Sequence, residues 1–158
     1  MKKQIVTLLL VAFASILSVN AQKTVSGVKV DSKISVEGES LTLNGAGLRE
    51  KMWIDLYVGS LYLPTKTSNA NEVIDSKDAS AIKLDIVSGM ITSEKMISAV
   101  NEGFENSLNN KTAPLKGKID MFKSFFKEEI KKGDVFVIAN IPGTGVVVFK
   151  NGVPTAPN

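Results

Sequence analysis

The stretch "LNGAGLREKMWIDLYVGSLYLP" (residues 43–64) joins a glycine-containing segment to the most β-prone run of the chain, and its reading decides the fold. Residues 51–63 read as one long strand rich in aromatic and aliphatic residues, closed by Pro64, which has no amide to give a ladder. Alternate residues of a strand point to opposite faces. Met52, Ile54, Leu56 and Val58 then form a uniformly apolar row, whereas Trp53, Asp55, Tyr57 and Gly59 form a mixed one. The apolar row is expected to be core, and the mixed row to face water or a cleft. Arg49, in the same stretch, is the only arginine beside eighteen lysines.

Upstream, residues 25–30 and 33–36 are short β-prone pieces, and "EGES" (residues 37–40) reads as a turn before "LTLNG". Downstream, "TSNANEVIDSK" (residues 67–77) predicts a short capped helix and "SAIKLDIVS" (residues 80–88) an alternating strand with Ile82, Leu84 and Ile86 on one side. In "ITSEKMISAVNEGFENSLNN" (residues 91–110), Thr92 or Ser93 serves as N-cap, Glu94 lies in the first turn, and Met96, Val100, Phe104 and Leu108 follow at helical spacing. "LKGKIDMFKSFFKEEIKK" (residues 115–132) predicts a second amphipathic helix with a stripe of Ile119, Phe122, Phe125, Phe126 and Ile130, stopped by Gly133. "DVFVIANIPGTGVVVFKNG" (residues 134–152) reads as a closing hairpin turning at Pro142–Gly145. Strands separated by a central helix pair argue for one α+β domain, a mostly antiparallel sheet with helices on one face.

The N-terminus has Lys2 and Lys3, an apolar run from Ile5 to Leu17 and small Ala21, the pattern of a signal peptide (residues 1–21) cleaved after Ala21. The run is too short, and too interrupted by Ser15 and Ser18, for a stable membrane span. Residues 22–158 are expected to form the exported domain, periplasmic or secreted in a bacterium. Loss of Lys2 and Lys3 lowers the formal charge from +3 to +1, and no basic run is interleaved with aromatics, so nucleic acid is not an expected partner.

The chain has no histidine and no cysteine. That rules out imidazole-based and thiolate catalysis, disulfides and ordinary zinc sites, and no metal or cofactor is expected. "GAG" (residues 45–47) lacks the spacing of a phosphate loop and precedes a strand. The remaining groups able to meet an anionic or polar head are Arg49, Tyr57, Lys95 and Thr92. Arginine suits that role because its planar fork takes a carboxylate with two parallel hydrogen bonds. The plainer alternative is that Arg49 pairs with a surface acid and Tyr57 is half-buried packing.

In order and content, residues 43–64, strand "AIKLDIVS", helix "ITSEKMISAVNEGF" and the terminal hairpin resemble the chalcone isomerase-like family, above all its bacterial exported members. The resemblance implies an open-faced β-sandwich, a large antiparallel sheet with helices packed on one face. It also implies one of two activities: cyclisation of a chalcone, or binding of a fatty acid in the same cleft. By resemblance, Arg49 matches the family's arginine and Lys95 its helix lysine. Tyr57, or with a one-residue shift Leu56, stands where the enzymes have a strand threonine; Thr92 and Ala99 stand where they have a tyrosine and an asparagine. With that donor network mostly replaced, the match implies a non-catalytic protein holding a small amphipathic carboxylate through Arg49 and Tyr57. An intramolecular lyase or isomerase and a structural envelope module are the alternatives. The family's C-terminal helix has no counterpart after "NGVPTAPN", which implies a cleft more open at that end.

Overall fold

The computed structural model describes residues 23–156; the expected signal peptide and its cleavage site lie outside them. A two-stranded hairpin comes first, β1 (Lys23–Val25) and β2 (Val28–Val30). Seven strands then form one sheet in strict sequence order: β3 (Lys33–Val36), β4 (Glu39–Lys51), β5 (Ile54–Leu63), β6 (Ser80–Ile86), β7 (Val135–Ile141), β8 (Gly145–Lys150) and β9 (Val153–Pro154). Each neighbouring pair is antiparallel. Helix α1 (Ala70–Asp75) joins β5 to β6. Between β6 and β7 lie α2 (Ser93–Ser107), a 3₁₀ turn (Ala113–Leu115) and α3 (Lys116–Ser124). The α+β class, with an antiparallel sheet bearing helices, is as the sequence predicts. Among the described residues no helix is long and apolar enough to cross a membrane.

Cross-strand register assigns the two faces. Tyr57, Ile86, Leu84, Phe136, Ile138 and Val148 lie on one, where Met96, Ile97 and Val100 of α2 and Phe122, Phe125 and Phe126 at the end of α3 close over them. Phe126 anchors this layer, 5.4 Å from Phe136 and 5.6 Å from Phe122 by ring centroid, distances at which aromatic pairs add to simple burial. The other face carries a buried row running Tyr62, Ala81, Ala139, Val147 across four strands, joined by Leu41 and Ile141. The loop after β2 crosses it, where the Tyr62 hydroxyl donates to the Asp31 carbonyl at 3.0 Å.

The expected strand over residues 51–63 is instead two strands and a turn. Met52 and Trp53 adopt positive φ (51° and 67°), so β4 folds directly back onto β5. The sequence lacks the Asn-Gly pair that normally announces such a tight turn, so nothing local marks it. The expected apolar row is broken accordingly. Met52 leaves it for the turn, and Leu56 is skipped between the pairs Arg49–Tyr57 and Glu50–Asp55, a bulge that sends it to the helix-side cluster beside Tyr57.

The second amphipathic helix ends at Ser124, eight residues before its expected end at Lys132. Its stripe is nevertheless buried: Ile119, Phe125, Phe126 and Ile130 are core. The reason is distance. The Gly133 amide donates to the Ile86 carbonyl at 2.8 Å, which pins the start of β7 beside the end of β6 and leaves residues 127–132 to travel as irregular chain.

Candidate functional site

The β4–β5 hairpin builds the site. Arg49 stands directly opposite Tyr57, and the next pair on that face is Gly47 with Gly59, followed by Gly45 with Leu61. This is the helix-bearing side, since Tyr57 also faces Ile86 of β6. The half-buried Tyr57 ring leans along the strand until its Cε2 comes 3.7 Å from where a Cβ on Gly59 would be. A Cβ on Gly45 or Gly47 would meet nothing within 4 Å. The two glycines therefore leave an open floor beside the ring, bordered by Arg49 at one end and Leu61 at the other.

Arg49 is exposed and, among the described residues, has neither an ion pair nor a hydrogen bond. The plainer expectation fails for Arg49, which pairs with no acid among the described residues, and holds for Tyr57, which is half-buried and packs against the helix-side cluster. Lys150 on the same face shows the contrast: it lies 3.5 Å from Asp134 and 3.8 Å from Glu128. Arg49 thus keeps five N–H donors free, and the hydroxyl of Tyr57, its partner in the register, has no hydrogen bond among the described residues either.

Thr92 and Lys95 are placed differently. The Thr92 hydroxyl is the N-cap of α2, accepting from the Lys95 amide at 3.3 Å, and the Lys95 ammonium donates to the Met90 carbonyl at 3.0 Å. Both polar groups are engaged in tying down the start of α2. That helix delivers Met96 and Ile97 to the cluster against which Tyr57 packs, so Thr92 and Lys95 stand on the element roofing the site, without a hydrogen bond or ion pair to Arg49 or Tyr57.

A second polar group, on the opposite face, escapes a reading by alternation. Lys83 and Asp85 look like the solvent side of β6, yet they are only 14% and 13% exposed, because the loop carrying Asp31 lies over them. Lys83 reaches Asp31 at 3.1 Å and Asp85 at 3.5 Å. Burial pushes the Asp85 carboxyl up from its ordinary value, with Lys83 opposing the rise. Burial, followed by the charges of Asp31 and Asp85, pushes the Tyr62 phenol up to about 12. One Asp85 oxygen and the Ser60 hydroxyl are buried without a hydrogen bond of normal geometry. No local pattern announces this cluster; it exists because the loop after β2, distant in sequence, crosses the sheet.

A depression of about 420 Å³ opens at the far edge of the sheet, between the end of α3 and β9, with Phe125, Lys150 and Thr155 in its wall. None of Arg49, Tyr57, Thr92 and Lys95 lines it.

The sequence profile described as chalcone isomerase-like matches residues 22–157, which include the whole of this sheet and its helices. The chain belongs to the chalcone isomerase-like family. Among solved structures, this chalcone isomerase-like protein is similar to a fatty-acid binding protein of Arabidopsis thaliana. The two are 21% identical with a TM-score of 0.59, over 82% of this chain and 76% of the other, a likeness of fold. No curated protein matches the chain by sequence.

Proposed function

We propose that this chalcone isomerase-like protein binds a small amphipathic carboxylate of fatty-acid type, without catalysing its conversion. The observation that carries this reading is that Arg49, with an unpaired guanidinium, stands opposite Tyr57, with an unpartnered hydroxyl, at the end of a glycine floor. A carboxylate there accepts two parallel hydrogen bonds from arginine and one from the phenol, all charge-assisted. The apolar tail runs over Gly47, Gly45 and Leu61. Lys95 adds positive potential from the roof, and Thr92 holds the helix that carries it. The fold likeness to a fatty-acid binding protein supports the same choice. An isomerase needs donors poised where charge develops on a ketone. At the family's tyrosine and asparagine positions the chain has Thr92, engaged as a cap, and Ala99, which has no donor.

Export belongs to the same proposal, with residues 1–21 as a signal peptide and the mature protein starting at Gln22, periplasmic or secreted. N-terminal sequencing of the protein from a bacterial periplasm tests it; a retained Met1 would refute it.

For the ligand, native mass spectrometry and organic extraction of the purified protein are compared with Arg49→Ala. A co-purifying acid that is lost in the variant supports the reading. Equal occupancy in both would sink it.

A further inference from the structure

The hairpin that carries Arg49 ends in a turn that the fold does not need in this form. A two-residue turn of this kind wants positive φ at both central positions, which Asn-Gly supplies with least strain. Here Met52 and Trp53 hold those positions, at φ 51° and 67°. They are 80% and 95% exposed, and Trp53 is the chain's single tryptophan. Large apolar side chains on strained, solvent-facing backbone add nothing to the core; strain of this sort gathers at working surfaces.

The charges behind the apex are sorted by side. Along β4, Arg49 and Lys51 alternate with Glu50, so both cations share the helix-bearing face. The Leu56 bulge puts Ile54 opposite Lys51 on that face and Asp55 opposite Glu50 on the other. There Asp55 accepts the Ser26 hydroxyl at 2.6 Å, turned toward the β1–β2 hairpin. Neither Arg49 nor Lys51 has an ion pair or hydrogen bond among the described residues.

We propose that this tip docks on a lipid bilayer bearing anionic headgroups. Trp53 and Met52 sit at the boundary of headgroups and acyl chains, while Lys51 reaches the phosphates. Indole has an apolar body and one N–H, which suits a zone that is apolar on one side and wet on the other. The thioether of methionine adapts to an irregular fluid medium, and lysine lays its aliphatic stem along it. A folded protein partner calls for a broader patch; two side chains at the end of a ribbon suit insertion. Docking also deepens the carboxylate reading, and rests on it only here: it brings the opening between Arg49 and Tyr57 to the surface from which an acyl chain enters.

The single tryptophan makes the test direct. The full chain is mixed with vesicles of phosphatidylethanolamine and phosphatidylglycerol, and its emission and quenching by brominated acyl chains are recorded. The expected result is a blue shift with quenching, and in Lys51→Glu a lipid requirement about thirtyfold higher, as for a change of two charge units near an anionic surface. Emission that stays water-like on vesicles overturns the proposal. So does a blue shift without bromine quenching, which would place Trp53 against protein, and so does equal quenching in Lys51→Glu. Titration with oleate in the absence of vesicles separates the two readings. Insertion without oleate binding would sink the carboxylate reading alone, and oleate binding with Trp53 still in water would sink docking alone.

Discussion

Arg49 and Tyr57 face each other across the β4–β5 ladder, one strand position pair away from the facing glycines Gly47 and Gly59 on the same side of the sheet. The ladder itself holds the two residues side by side, so the spacing of their backbones is set by strand pairing and needs no side-chain contact to keep it.

Arg49→Ala is therefore expected to abolish measurable carboxylate binding while leaving the melting temperature within experimental error, since an exposed, unpaired side chain contributes within about 0.5 kcal/mol to folding. Tyr57→Phe keeps the ring over Gly59 and removes one donor, so affinity falls by about tenfold, the worth of a charge-assisted hydrogen bond. Isothermal titration with oleate measures both; a Tyr57→Phe effect equal to that of Arg49→Ala contradicts the division of roles.

Gly47→Val fills the open floor without meeting any neighbour at its Cβ. Because a β-branched residue suits a strand better than glycine, the variant is expected to be as stable as the parent or more so by about 0.5–1 kcal/mol. Long-chain acids lose affinity and short ones keep it. If chain length makes no difference, the tail does not cross Gly47.

The raised pKa of Asp85 has a definite sign in stability. Its folded carboxyl holds a proton at pH values where the unfolded chain, at the ordinary 3.8, has lost it. Stability from this group is therefore fully present below the ordinary 3.8 and is lost as pH rises from there through the raised folded value, above which it stays flat. Asp134 opposes this. Burial raises its pKa, but the hydrogen bonds from Asn151 and the Lys131 amide and the charge of Lys150 outweigh burial and hold it low, so its contribution is lost on acidification. Asp85→Asn removes only the first effect. Urea unfolding should place the variant closer to, or above, the parent at neutral pH, and further below it near pH 4. A difference that stays flat with pH would mean that Asp85 titrates normally.

Ser60 is 1% exposed and its hydroxyl has no hydrogen bond of normal geometry. Removing an unsatisfied buried hydroxyl while keeping the Cβ relieves its desolvation, so Ser60→Ala is expected to stabilise by about 1 kcal/mol. Denaturant titration checks this. A loss of similar size would instead reveal a buried water bridging Ser60 and the orphan oxygen of Asp85.

Replacing the apex, Met52→Asn with Trp53→Gly, gives the turn the residues its backbone favours. The double variant is expected to gain about 1 kcal/mol or more, because two non-glycine residues leave the left-handed region. Calorimetry decides; a lower melting temperature would mean that the exposed side chains support the hairpin after all.

Patterns that act within a few residues of one another were legible in the sequence. Helical spacing and the Thr92 cap placed α2, alternation placed β6, and the glycine-rich turn after Ile141 placed the β7–β8 hairpin, because each depends on local backbone preference. From these the α+β class and the helix-covered sheet followed, and composition alone removed thiolate and imidazole chemistry. Tertiary structure decided what depends on partners far away. The turn at Met52–Trp53 exists because β4 and β5 gain a full ladder by folding there, against the preference of both residues. Helix α3 stops at Ser124 because Gly133 must meet Ile86. Lys83 and Asp85 are largely covered because the Asp31 loop crosses β6. Arg49 could be singled out as the only arginine, but its placement opposite Tyr57, free of any acid, is a matter of strand register, and register is set between strands and not within them.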